Sequence, residues 1–218
     1  MLKKRIVANL IVKNGFVVQS IGFNKYLPIG SLAVSVEFLN QWGIDEIVIS
    51  DISATPSGRI PQIGLYKNIS KKCFVPLTIG GGVSSIEHIY QLLQSGADKV
   101  FINSYAVKNR QFISDCSKIF GNQCIIVACD VIYSEGKAMI FDYISKKPLN
   151  IDAIQYIKEV ATCGAGEVLI NCVDRDGKYT GYDIPLAKEI AQAIKIPVIF
   201  CGGVGKPIHF YDLLTETN

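Results

Sequence analysis

The chain of 218 residues is 49% hydrophobic and 19% charged, which suits one domain with a large buried core and excludes an extended or disordered protein. Its formal net charge of +3 comes from Lys and Arg residues that are scattered, so no basic stripe indicates a nucleic-acid partner. No apolar run approaches the roughly 18 residues that a membrane-spanning helix needs. We therefore expect neither a nucleic acid nor a membrane as a partner.

The start of the chain, MLKKRIVANLIVKNGF, has the basic end and apolar run of a secretory signal. Asn9 interrupts that run, Lys13 ends it and no small-residue cleavage site follows, so the segment is predicted to be a strand. The seven cysteines include no CxxC pair and predict reduced, mostly buried thiols in a cytoplasmic protein. A catalytic thiol at Cys129 or Cys201 is the alternative, but neither histidine shares their neighbourhood.

Short β-branched runs alternate with helical patterns along the rest of the chain. The strand-like runs are, in order, RIVANLIV, EIVIS, VPLTIG, KVFIN, CIIVACD, EVLINCVD and IPVIFCGG. The helical patterns between them include SLAVSVEFLNQW, SIEHIYQLLQSGA and IPLAKEIAQAI. This alternation predicts βαβ units on a parallel sheet, and the continuously apolar strands predict burial on both faces.

An internal repeat narrows the fold. Residues 74–97 match residues 196–218, and Gly81 aligns with Gly202 at an offset of 202 − 81 = 121. Two copies of a half with four βα units predict an α/β fold, the (βα)8 TIM barrel of two repeated half-barrels. An open doubly wound sheet is the alternative fold.

The second copy stops opposite Ala97 of the first, before any counterpart of the strand DKVFIN. We therefore expect residues 1–218 to form a single barrel domain that is truncated before strand eight, with a deliberately shorter fold as the alternative. Two unpaired sheet edges would make such a form prone to self-association.

Glycine and small polar residues follow several of the predicted strands. In such barrels the carboxyl ends of the strands form the active site, and glycines there allow a phosphate to approach backbone N–H groups. The alternative is that the glycines only permit tight turns, but two clusters in register favour two phosphate sites. The residues concerned are Gly80, Gly81, Gly82, Asn103, Ser104, Asp176, Gly177, Gly202 and Gly203.

Acidic residues also close predicted strands. Asp130 ends the apolar run CIIVAC, where a carboxylate at the mouth of a low-dielectric barrel suits a general acid or base. The alternative for Asp130 is a carboxylate that caps a loop or pairs with a lysine. For Asp51 and Asp174 we favour the loop-organising role.

These motifs resemble one family, the HisF-like cyclase subunits of imidazole glycerol phosphate synthase in histidine biosynthesis. The resemblance is carried by KRIVANLIVKNG, IDEIVISDI, IGGGV, GADKVFINSYAV, GAGEVLINCVDRDGKYTGYD and CGGVGK. It implies a lyase subunit of a heterodimer that takes ammonia from a glutaminase partner. It further implies a bisphosphorylated ribulosyl substrate, which is converted to imidazole glycerol phosphate and an aminoimidazole carboxamide ribotide, with no cofactor and no metal.

Carried over by position, the resemblance assigns roles to individual residues. Asp130 would be one of two catalytic acids. One substrate phosphate would bind at Gly82, Asn103 and Ser104, and the other at Asp176, Gly177 and Gly203. The charged gate through which ammonia enters would consist of Arg5, Glu46, Lys99 and Glu167.

Two positions depart from the family pattern. Ile11 stands where the second catalytic acid is expected, and an alkyl side chain neither donates nor accepts a proton. Gln19 stands at the position of a lysine on a mobile loop. These departures keep two alternatives open: a paralogue that channels ammonia for amidination of a surface-polysaccharide sugar, and a noncatalytic scaffold that activates the glutaminase.

Overall fold

A computed structural model describes residues 4–217 and shows an α/β fold in which parallel strands alternate with helices. The contacts divide the chain into two compact units. The first contains residues 4–19 and Tyr26–Tyr105, and the second contains Ser20–Lys25 and residues 106–217.

The first unit is built around a parallel sheet. Strand β4 pairs with β1 on one side and β5 on the other, β5 pairs with β6, and β2 runs antiparallel to β1. The elements in chain order are β1 (Val7–Lys13), β2 (Phe16–Ile21), β3 (Lys25–Ser31), α1 (Leu32–Gln41), β4 (Glu46–Asp51), α2 (Ile63–Ser70), β5 (Leu77–Gly80), α3 (Ile86–Gln94), β6 (Lys99–Ile102) and the start of α4 (Ser104–Lys108).

The second unit has the same plan. Strand β10 pairs in parallel with β7 and β11, and β8 runs antiparallel to both β7 and β9. After α4 the elements are α5 (Gln111–Phe120), β7 (Ile125–Ser134), β8 (Lys137–Asp142), β9 (Lys147–Asp152), α6 (Ala153–Thr162), β10 (Glu167–Cys172), α7 (Ile184–Ala193), β11 (Val198–Cys201) and α8 (Pro207–Glu216).

All seven predicted strands are confirmed, as β1, β4, β5, β6, β7, β10 and β11. The repeat is confirmed as well. Helices α1 and α6 begin 153 − 32 = 121 residues apart, and the same offset separates the first residues of β2 and β8, β4 and β10, α2 and α7, β5 and β11, and α3 and α8. Because element after element keeps this spacing, the two units are copies in structure.

Each copy contains a β-hairpin that the sequence patterns did not predict. The hairpins leave β1 and β7 through the two-residue turns Asn14–Gly15 and Glu135–Gly136. All four turn residues have positive φ, between 51° and 85°, which is the backbone of a type I′ turn. The hairpin therefore belongs to the repeated unit.

The same repeat positions are buried to different degrees in the two copies. All four residues of β5 are buried, and α3 buries Ile89 and Leu92 one turn apart. Their counterparts differ, because no residue of β11 or α8 is buried. Full burial of an aliphatic side chain stabilises a fold by roughly 1.5–3 kcal/mol, so the α3 end of the first copy is held more firmly than the α8 end of the second.

The beginnings of α3 and α8 share one polar contact and differ in another. The backbone N–H of Ser84 donates to Nδ1 of His88 at 3.3 Å, and the N–H of Gly205 donates to Nδ1 of His209 at 3.1 Å, again 121 residues on. Helix α3 also has a side-chain N-cap, Ser85, whereas α8 has Lys206 at that position and no side-chain cap.

Within residues 4–217, no helix combines the length and the apolar character that a membrane crossing requires.

Candidate active site

The first predicted phosphate site follows β5 and β6. Gly82 has φ +64°, and a Cβ there would overlap the carbonyl oxygen of Arg59, so only glycine fits. Its N–H donates to Thr55 Oγ1 at 3.0 Å, so the expectation of an N–H available for phosphate does not hold for Gly82. What the missing side chain of Gly82 provides is room for the close approach of the Arg59 carbonyl. Asn103 and Ser104 follow β6 directly and are half-buried, which leaves their side chains within reach of a ligand.

The loop behind this site is held by an ion pair. Arg59 Nη1 lies 3.0 Å from Asp51 Oδ2, and the N–H of Ser53 donates to Asp51 Oδ1 at 3.0 Å. Asp51 is buried, and so is the neighbouring Tyr66. The burial of Tyr66 and the negative charge of Asp51 both raise the pKa of the Tyr66 hydroxyl. These contacts are those of a loop-organising carboxylate, as favoured for Asp51.

The second predicted phosphate site follows β10 and β11. Gly203 has φ +94°, and a Cβ there would overlap the carbonyl oxygen of Gly181. The N–H of Gly181 donates to the Gly203 carbonyl at 2.8 Å. Arg175 Nη1 donates to the Gly181 carbonyl at 3.3 Å, and its Nε lies 3.5 Å from Asp183. Both sites thus repeat one design, a glycine packed on the carbonyl of the preceding loop with an arginine beside it.

Asp176 and Gly177 contact the tip of the β2–β3 hairpin. The Asp176 carboxylate accepts from the hydroxyl of Ser20 and from the N–H of Phe23, the latter at 3.2 Å. A Cβ on Gly177, which has φ +69°, would lie 2.5 Å from the Ser20 carbonyl oxygen. Both residues therefore position this hairpin, and their contact with a phosphate remains a prediction.

Asp130 lies on β7 beside Asn171 of β10. The two residues are in register, and Asn171 Nδ2 donates to Asp130 Oδ1 at 2.7 Å. Asn171 is in register with Cys201 of β11, so all three side chains share one face of the sheet.

Cys129 points to the opposite face, where complete burial raises the pKa of its thiol and makes it a poor nucleophile. Asp174 accepts from the Tyr133 N–H at 2.7 Å, which is again a loop contact.

The first copy has the same layer with different side chains. Ile11 of β1 is in register with Ser50 of β4, and Ser50 lies 121 residues before Asn171. The Ser50 hydroxyl donates to Asn9 Oδ1 at 2.8 Å. The acid and its neighbouring donor are thus replaced by an alkyl group and a neutral polar pair.

Three of the four predicted gate residues meet in the first unit. Glu46 is fully buried at the start of β4, with Arg5 Nη1 2.9 Å from its Oε2 and Lys99 Nζ 3.1 Å from its Oε1. The Arg5 contact lacks hydrogen-bond geometry and is an ion pair. Thr78 Oγ1 donates to Oε1 at 3.3 Å. Glu167, also buried, begins β10 in the position equivalent to Glu46.

Three residues around these sites were not predicted from the sequence. Arg59 and Arg175 are loop arginines among other scattered charges, and no pattern distinguishes them. Asn171 had a signal, because it is the polar residue that follows the apolar run of residues 168–170 and it shares the repeat position of Ser50.

A further feature lies at the amino ends of the strands in the first unit. Phe74 and Trp42 are 86% and 76% exposed there. Beside them is an open hollow of about 420 Å³, lined by Glu37, Asn40, Gln41, Lys71, Lys72 and Phe74.

Comparison with known proteins gives one consistent result. A family model described as "Histidine biosynthesis protein" matches residues 5–218. A protein of Vibrio vulnificus (strain YJ016), provisionally named imidazole glycerol phosphate synthase subunit hisF2, is 42% identical over 99% of this chain and 78% of its own length. The imidazole glycerol phosphate synthase subunits HisF of Sulfurisphaera tokodaii and Bacillus cereus (strain G9842) are 43% and 41% identical, over 98% and 100% of this chain and 86% and 87% of their own lengths.

Proposed function

The chain belongs to the histidine biosynthesis protein family, and we propose that it is an ammonia-using cyclase subunit of the imidazole glycerol phosphate synthase type. Its substrate would be a bisphosphorylated ribulosyl compound, and its ammonia would come from a glutaminase subunit in the cytoplasm. The observation that carries this proposal is the repeated glycine design at Gly82 and Gly203. A ligand with a phosphate at each end would use both copies.

The proposed chemistry assigns one task to each group of residues. Asn103 and Ser104 supply side-chain donors to one phosphate, and the turns at Gly177 and Gly203 leave room for the other. Asp130, buried near the end of the part of β7 that pairs with β10, transfers protons during ring closure and cleavage. We propose no cofactor for this role.

The partner proposal rests on the amino ends of the strands. Glu46 with its two cations would form the entry for ammonia, and Glu167 would contribute the equivalent buried carboxylate. The exposed Phe74 and Trp42 and the hollow beside them are apolar surface of the kind that a partner covers. A soluble glutaminase should therefore lose affinity for Trp42→Ala and Phe74→Ala variants.

Calorimetry tests the two phosphate sites directly. Ribulose 1,5-bisphosphate should bind more tightly than ribulose 5-phosphate, and Asn103→Ala or Ser104→Ala should weaken it, because each removes a donor. Ser35→Ala on α1 is the control. Gly82→Asp and Gly203→Asp are unsuitable, since their side chains would overlap backbone carbonyls. Equal affinity for both sugars, unchanged in the variants, would refute the sites.

A second function has a specific observation in its favour. Ile11 and the neutral Asn9–Ser50 pair replace acid chemistry in the first copy, and Gln19 removes a cation. These changes suit a paralogue that delivers ammonia to another acceptor, such as a polysaccharide sugar. Complementation of a histidine auxotroph separates the two, because only the histidine-pathway cyclase restores growth. If the chain is instead a noncatalytic scaffold, its Asp130→Asn variant should activate the glutaminase as well as the unmodified chain does.

A further inference from the structure

Asn171 makes a contact that neither the family match nor the proposed site explains. Its Nδ2 donates to Asp130 Oδ1 at 2.7 Å, so a neutral donor on the neighbouring strand reaches that carboxylate directly. Strand register fixes the pair, since Asn171 and Asp130 are Cα partners in the parallel β7–β10 ladder. Asp130 is only 3% exposed, so a donor supplied by the protein matters more there than it would in water.

The other copy of the repeat shows that this contact is not a necessary part of the fold. Ser50 occupies the position equivalent to Asn171, also beside a strand residue in register, yet its hydroxyl donates to Asn9. The residue opposite it, Ile11, offers no acceptor. The donor is directed at an acid only in the copy that retains one.

We propose that Asn171 is a positioning residue that orients the Asp130 carboxylate and favours its ionised form. This inference rests on the proposed function only in giving Asp130 a catalytic task. A donor held at Oδ1 fixes the plane of the carboxyl group, so that proton transfer occurs from one defined direction. A hydrogen bond to a charged acceptor also stabilises the charged state relative to the neutral acid.

The titration of Asp130 has to be separated from that of the ionisable groups around it. Cys201 of β11 lies on the same face of the sheet as Asp130, whereas Cys129, the preceding residue on its own strand, points to the opposite face, near Tyr156 of α6 and Arg110. Burial raises the pKa of both Cys129 and Tyr156, so both stay neutral from pH 4 to pH 9. Because Cys201 is the same in every variant, differences between variants in the midpoint of the Asp130 carboxyl signal report on the hydrogen bond from Asn171.

The test is carbon-13 NMR of the Asp130 carboxyl across this pH range in the unmodified protein and four variants. Asn171→Leu and Asn171→Val remove the donor with a larger and a smaller apolar side chain, so that one folded variant suffices. Either should shift the midpoint upward by about one pH unit, since a hydrogen bond to a charged group is worth roughly that much. Asn171→Ser keeps a donor and should restore the midpoint towards that of the unmodified protein, and Ser50→Ala, the matched position in the other copy, should leave it unchanged.

An unchanged midpoint in the folded apolar variants, or an equal shift in Ser50→Ala, would overturn the proposal. Turnover with ammonium gives a second readout, in which kcat should fall and the acid limb of the pH profile should move with the NMR midpoint while KM stays near its original value. Absence of turnover in the unmodified protein would count against the proposed function alone, because the NMR titration needs no substrate.

Discussion

The two copies of the repeat carry their strands and helices in the same order, but their inner layers differ. In the second copy Asp130 accepts a hydrogen bond from Asn171. In the first copy Ile11 lies opposite Ser50, and the Ser50 hydroxyl donates to Asn9 instead. The glycine turns at Gly82 and Gly203, the hairpins and the element spacing are retained in both. The comparison teaches that the scaffold and the chemistry of a half-barrel are set by different residues.

The largest effect is expected from the removal of Asp130, the acid that distinguishes the second copy from the first. Asp130→Asn should lower ammonia-dependent turnover by about 10²–10⁴-fold, the usual contribution of one positioned acid or base. Ile11→Asp should raise turnover, because it places a carboxyl group beside the Ser50 hydroxyl, and Ile11→Asn is the uncharged control. The assay is product formation with ammonium salt. If the unmodified chain turns over as fast as a family member that has both catalytic acids, the replacement of the second acid by Ile11 does not limit the reaction.

A second substitution tests the buried carboxylate that begins β4. Lys99→Met leaves Glu46 with the partly exposed Arg5 and the Thr78 hydroxyl, and the loss of one cation from a buried ion pair should lower the free energy of unfolding by about 3 kcal/mol. Urea denaturation measures this. The double variant Lys99→Met with Glu46→Gln removes both charges and should recover most of the loss; no recovery would mean that packing of the lysine stem decides stability.

Cysteine labelling tests whether Cys201, which lies on the same sheet face as Asp130, belongs to the proposed substrate site. Burial raises the pKa of Cys116 to about 12, which leaves roughly one thiolate in 10⁴ at pH 8, and it also raises the thiol pKa of Cys129 and Cys172. We expect iodoacetamide to spare these three and to modify half-buried Cys201. Ribulose 1,5-bisphosphate should protect Cys201 but not Cys163, as read by mass spectrometry. Equal labelling of Cys201 with and without the sugar would remove it from the site.

The smallest effect concerns the helix that follows each phosphate turn. Ser85 caps α3, and Lys206 leaves the equivalent position of α8 without a side-chain cap. Lys206→Ser should raise the free energy of unfolding by about 1 kcal/mol, the usual value of such a cap, and Ser85→Ala should lower it similarly. Thermal melts of both variants decide this. A neutral Lys206→Ser would show that the His209 contact already satisfies the helix end.

The strands and the repeat could be predicted because buried parallel strands are continuously apolar and helices have their own period. The hairpins were not predicted, although Asn14–Gly15 between the apolar runs of β1 and β2 is itself a hairpin signal; only β3, whose residues are mostly exposed and include Pro28, has no such signal. The phosphate glycines were found as motifs, yet the engagement of the Gly82 N–H by Thr55 depends on a loop 27 residues away. Contacts such as Asp176 with Ser20 join positions that no local pattern connects.

The uneven burial of the repeat also sets an order of local opening. An amide exchanges its hydrogen when its segment opens, and the free energy of that opening falls as buried apolar contacts are lost. The amides of β11 and α8, where no side chain is buried, should therefore exchange well before those of β5 and α3, although both pairs have the same secondary structure and the same chain spacing. The turn that carries Gly203 would then sit on the faster-opening segment, and the one that carries Gly82 on the slower.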